Sequence, residues 1–101
     1  MKSRRTKALE IQQKVKRIVF ERDNGQCILC GAPGLPEAHF IPRSKGGLGI
    51  EQNIVTLCRE CHRRFDQSDD RKFIAEFIRS YLNKKYPGLN ESSLYYRKGN
   101  A

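Results

Sequence analysis

Four cysteines, two histidines and one aspartate carry the spacings best suited to chemistry in this chain. The cysteines form two pairs, Cys27-x-x-Cys30 and Cys58-x-x-Cys61, with 27 residues between them. Two residues between thiols let a tight turn aim both sulfurs at one ion, at Zn–S distances of about 2.3 Å, and two such knuckles complete a closed tetrahedron. Disulfide pairing and a redox pair are the alternatives. A charged N-terminal stretch with no apolar leader points to a reducing, cytoplasmic setting, which disfavours the first, and the second needs only one of the two motifs. A closed four-thiolate site has no position open for water or substrate, so its zinc is expected to fold the protein and take no part in catalysis.

His62 follows the second pair directly, and Asp66 stands four residues further on. If the chain is helical after Cys61, the two side chains project from one face. One nitrogen and one carboxylate oxygen suit a second divalent metal, Mg²⁺, Mn²⁺, Ni²⁺ or Zn²⁺, with positions left for water and phosphate. A solvated helix-end charge is the alternative for Asp66. His39, three residues before Pro42 on an expected strand, has an imidazole that titrates at about 6.5 and can accept a proton from water. It is a general-base candidate, with a packed core histidine as the alternative. Asn53 ends a long glycine-rich loop, and its side chain can bridge backbone groups across that loop or serve as an ordinary turn residue.

Two helices and two short strands are expected to position these groups. Leu9, Val15, Ile18 and Val19 recur at helical intervals and Gly25 follows as a stop, which predicts a basic amphipathic helix over residues 6–22. The segment 26–66 holds every cysteine and both histidines, with strands expected at 37–41 and 54–57 between glycine-rich loops. A second helix is expected over 68–86, capped by Ser68, carrying Phe73, Phe77, Ile78, Tyr81 and Leu82 on one face and ended by Pro87 and Gly88. The tail 87–101 shows no periodicity and is expected to be mobile, with Tyr95 and Tyr96 beside Arg97 and Lys98 available to nucleic acid.

The length of 101 residues predicts a single small domain with a thin core that needs a staple. No apolar run approaches the roughly 20 residues that cross a bilayer. Twenty Lys and Arg against eleven Asp and Glu leave a net charge of +9, which suits a polyanionic partner or serves solubility alone. Arg43, Lys45, Arg59, Arg63 and Arg64 flank the histidines in sequence. Such groups bind phosphate without reading bases, so binding is expected to be salt-sensitive and weakly selective.

With Cys27-Ile-Leu-Cys30 before it and Cys58-Arg-Glu-Cys61-His62 after it, the stretch from Glu37 to Cys58 resembles the HNH endonuclease motif in its zinc-stabilised form. The resemblance implies a small α+β fold with a ββα-metal (His-Me finger) core, two cysteine knuckles and a flanking helix at each end. It maps His39, Asn53 and His62 onto the three motif positions. His39 is then the general base, Asn53 holds the hairpin so that His39 faces the metal, and His62 is a metal ligand, with Asp66 at a position that some members use as another. The implied activity is metal-dependent hydrolysis of DNA, double-stranded by expectation, to a 5′-phosphate and a 3′-hydroxyl. Many members carry Asp or His just before the base as a further ligand, where this chain has Ala38. Glu37 would replace it only from a shifted strand, because adjacent strand residues point to opposite faces. The competing class is a non-catalytic zinc module that binds nucleic acid. A zinc deaminase would need His-x-Glu before Pro-Cys-x-x-Cys, which is absent.

Overall fold

In chain order the elements are α1 (Arg4–Leu9), α2 (Gln13–Arg22), β1 (Leu35–His39), β2 (Ile54–Leu57), α3 (Arg59–Gln67) and α4 (Arg71–Lys85), with 3-10 turns at Arg43–Lys45, Glu51–Asn53 and Glu91–Leu94. This computed structural model describes residues 2–97. The two strands pair antiparallel, α3 follows β2 directly, and α4 packs back on α3. The result is the small α+β, cysteine-stapled arrangement expected, with helices on either side of a ββα centre. No helix among the described residues is long and apolar enough to cross a membrane.

The expected helix over 6–22 is two helices, broken at Glu10, which has an extended backbone with ψ 146°. Neither Gly nor Pro causes the break. In a continuous helix the carbonyls of Ala8 and Leu9 would accept from residues four positions on. Here Gly49 N donates to Ala8 O at 2.9 Å and His39 Nε2 to Leu9 O at 2.8 Å. Tertiary partners have captured the carbonyls, and local propensity yields. At the far end α2 stops as expected. Gly25, at φ +66°, donates its N–H back to Phe20 O.

Strand β1 lies two residues earlier than the expected 37–41, because Asn53 takes over the pairing beyond His39. Its backbone carbonyl accepts from Phe40 N, and its side chain bonds both backbone groups of Ile41. Between Leu35 and Ala38 the register slips against β2, placing an extra residue on β1.

The core runs from Ala38, Phe40 and Ile41 through Val55 and Leu57 to Phe65 on α3 and Ile74, Ile78 and Leu82 on α4. The buried face of α4 is therefore rotated from the one expected: Phe73 is 71% exposed and Phe77 41%, and Ile74 replaces them. Ser68 sits at the corner between α3 and α4. Its hydroxyl donates to Arg64 O at 2.6 Å and accepts from Asp70 N at 3.1 Å, and α4 starts only at Arg71. The tail is not loose over its described part. Leu94 is fully buried, and Leu48 N and Tyr96 N bond to Leu94 O and Gly46 O. Lys98 lies outside the described residues.

A buried polar network ties α2 to the strands. The Arg22 guanidinium grips both oxygens of Asp23 and donates to the carbonyls of Glu51 and Ile54, while Asp23 also accepts from Thr56 N and Tyr81 Oη. Burial raises the Asp23 carboxyl, but the Arg22 and Tyr81 donors outweigh it and hold the group below the usual carboxylate range. Burial and Asp23 in turn push the Tyr81 hydroxyl up to about 12. With partners on every side, the network anchors the turn that carries Asn53.

Candidate active site

The two knuckles meet as their spacing predicts. The Sγ atoms of Cys27, Cys30, Cys58 and Cys61 all lie within 4.8 Å of one another. Cys30 and Cys58 stand 3.6 Å apart, too far for a disulfide and close to the separation of about 3.8 Å that sulfurs take around a tetrahedral zinc. Gly31, at φ +83°, turns the first knuckle, and Ile28 N docks it on Thr56 O of β2. Cys58 caps α3, its sulfur accepting from Cys61 N. Burial and the neighbouring sulfurs push the Cys61 thiol up, the direction that a cation held among the sulfurs would reverse. The cluster is placed to hold one metal ion, consistent with a structural zinc.

The same helix that closes this cluster presents His62 and Asp66. Cys61 and Phe65 are buried, while His62 and Asp66, one position further round, open on solvent. Their Nε2 and Oδ2 atoms stand 3.4 Å apart. Neighbouring donors on an octahedral cation of Mg²⁺ size lie about 3 Å apart, so the pair fits a divalent ion without rearranging α3.

His39 faces them across a cleft of about 240 Å³ lined by Glu37, His39, Pro42, Arg43, His62 and Asp66. A carbonyl oxygen can only accept, so the Nε2 bonded to Leu9 O carries the proton and Nδ1 keeps the lone pair. Burial lowers the His39 pKa below its ordinary value. The Leu9 carbonyl opposes that effect, and the charges of Arg43 and His62 add to it. Neutral imidazole is therefore the favoured form at neutral pH.

Asn53 is wholly buried. Its Oδ1 accepts from Ile41 N at 2.8 Å, and its Nδ2 donates to Ile41 O and Leu48 O at 3.2 and 2.8 Å. It spans the loop after His39 in the manner its sequence position suggested. Gly47 makes this possible, since a Cβ there would lie 1.6 Å from Ile41 O.

Ala38 is fully buried against β2. Glu37 is exposed and, two residues from His39 with Ala38 turned inward between them, opens on the same side. It lines the cleft above and both adjoining hollows. Opposite-face alternation therefore separates Glu37 from Ala38, and leaves it beside His39. Of the five basic residues, Arg43 lines the His39 cleft, and Arg59 and Arg63 line the hollow on the far side of His62. Lys45 lies in the turn beyond Arg43. Arg63 is paired with Glu60 and Arg64 with Asp70, whereas Arg43, Lys45 and Arg59 have no ion-pair partner among the described residues. Sequence reasoning missed Leu9 and Lys16. The first acts through a backbone carbonyl, which residue type does not reveal. The second reaches the site only because α2 packs on β1.

The stretch that carries the cysteine cluster and the histidine–carboxylate pair has relatives among known proteins. Residues 27–78 match the family described as HNH endonuclease, and the chain belongs to that family. Over 80 residues it is 31% identical to the type IV methyl-directed restriction enzyme EcoKMcrA of Escherichia coli (strain K12), covering 69% of this chain and 29% of the enzyme. Over 59 residues it is 30% identical to anaredoxin of Nostoc sp. (strain PCC 7120 / SAG 25.82 / UTEX 2576), covering 56% of this chain and 78% of that protein. The chain thus spans less than a third of the restriction enzyme.

Proposed function

We propose that the chain is a metal-dependent endonuclease hydrolysing phosphodiester bonds of double-stranded DNA. The observation that carries this reading is the placement of His39, with one ring nitrogen fixed by Leu9 O and the other without a hydrogen-bond partner among the described residues, across a cleft from His62 and Asp66. His39 Nδ1 takes a proton from a water. The resulting hydroxide attacks phosphorus in line, the bond to the 3′-oxygen breaks, that oxygen takes a proton from solvent water, and the products are a 5′-phosphate and a 3′-hydroxyl. A divalent cation held by His62 and Asp66, Mg²⁺, Mn²⁺, Ni²⁺ or Zn²⁺, would supply positive charge to the phosphate and the leaving oxygen. Arg43 steadies the phosphate from the His39 side, and Asn53 keeps the loop after His39 closed so that the imidazole holds its direction.

Ala38, which offers no ligand, favours the second reading, a zinc-containing nucleic-acid-binding module without catalysis. Incubating supercoiled plasmid with the zinc-loaded protein and Mg²⁺, Mn²⁺ or Ni²⁺, with EDTA as control, separates the two. Metal-dependent nicking or linearisation supports the nuclease. Binding without cleavage in every metal supports the module.

A further inference from the structure

We propose that Glu37 is the third protein ligand of the catalytic cation, with Lys16 as the latch that holds its carboxylate when the cation is away. The inference rests on the nuclease reading above and extends it to the ligand that Ala38 cannot supply. Two donors, His62 Nε2 and Asp66 Oδ2, are few for a hard divalent ion, which prefers added carboxylate oxygens. Ala38 is sealed in the core. Glu37 lies next to it on the opposite, open face of β1, and it shares both the cleft and the neighbouring hollow with His62 and Asp66. The register slip between Leu35 and Ala38 puts an extra residue on β1 at this point, the kind of irregularity that re-aims a side chain beside an active site.

The Glu37 carboxylate stands 3.5 Å from Lys16 Nζ, a pair with side chains 43% and 33% exposed. An exposed pair at that distance is weak and exchanges readily for a stronger cation. Glu37 thus has a resting partner on α2 and, with a side-chain rotation, a second partner in the cleft. In this arrangement the carboxylate missing from position 38 is provided one residue earlier.

The test is Mn²⁺ binding by the full, zinc-loaded chain, followed through the electron paramagnetic resonance signal of free Mn²⁺, with zinc content as the check that each variant is folded. Glu37→Gln, an isosteric change at an exposed position, should weaken Mn²⁺ binding on the order of tenfold or more, at least what losing an outer partner of a ligand costs. Lys16→Met should tighten binding roughly two- to fivefold, the worth of an exposed ion pair, and only when Glu37 is present. Wild-type affinity in Glu37→Gln, alongside lost binding in His62→Ala, would overturn the Glu37 assignment and leave the nuclease reading standing. Equal tightening by Lys16→Met with Glu37 and with Gln at that position would remove the latch. Binding unaffected even by His62→Ala would sink the metal site on which both rest.

Discussion

His39 Nε2 lies 2.8 Å from the carbonyl oxygen of Leu9, a residue outside the 27–78 stretch that matches the family. One hydrogen bond from the N-terminal helix thus fixes both the tautomer and the direction of the imidazole. At the break between α1 and α2 the bond to His39 stands in for the intrahelical one, so an irregularity in a flanking helix becomes part of the candidate site.

Replacing His39 by Ala removes the proposed base and leaves His62 and Asp66 in place. DNA binding should persist while cleavage falls by a factor on the order of 10² to 10⁴. Because burial lowers the His39 pKa, wild-type cleavage should rise with pH and reach half its plateau below about 6.5. In His39→Ala that rise should vanish. Cleavage at the wild-type rate by the variant in saturating metal would refute the general-base role.

Changing Cys58 to Ala should cost both the zinc and the fold. Cys58 supplies a sulfur to the cluster and caps α3, so its loss unseats the helix that carries His62 and Asp66. Zinc content per chain and thermal unfolding report the two effects. A stably folded, zinc-free Cys58→Ala protein is the result that rejects a structural metal here.

Duplex affinity, measured in EDTA to prevent cleavage, should fall steeply between 50 and 200 mM salt. Converting Arg43, Lys45 and Arg59 to Ala should flatten the log–log slope by about 2 to 3, at about 0.9 per neutralised phosphate. Arg63→Ala with Arg64→Ala should do less, since Glu60 and Asp70 already engage those groups. An unchanged slope in the triple variant would mean that the charge of +9 serves solubility alone.

Asp23→Asn should destabilise the protein by about 3 kcal/mol, toward the lower end for a broken buried pair, because Arg22 keeps the carbonyls of Glu51 and Ile54. The pH dependence has a definite sign. Asp23 has a depressed pKa in the fold, so its contribution is full above the unfolded value of about 3.9 and is lost as pH falls through the folded one. Chemical denaturation should show wild type and variant about 3 kcal/mol apart at pH 7 and converging below pH of about 4. A constant gap down to pH 2 would contradict the linkage.

Spacing made the cysteine cluster, the hairpin-then-helix order and the His62–Asp66 pairing legible, because each depends on residues a few positions apart whose geometry a turn or a helix fixes. Asn53 was legible for a related reason: a buried amide at the end of a glycine-rich loop has few tasks besides bridging it. What stayed hidden depends on partners far away in sequence. The break at Glu10 exists only because His39 and Gly49 arrive from outside, and the rotation of α4 follows from which of its apolar residues α3 and Leu94 can cover. The tail misled because its anchors, buried Leu94 and the backbone bonds around it, form no periodic pattern that would announce the contact.

The loop from Arg43 to Gly49 is fastened on one side by Ala8 and on the other by Leu94 and Tyr96. Contacts between segments so remote along the chain carry a loop-closure cost that the packed core must offset. The cysteine cluster and hairpin lie wholly within residues 27–67, whereas the wall around Arg43 and His39 is closed only by both flanking segments. A chain shortened at either end would keep the residues of the cysteine cluster and lose a fastening of the wall around His39.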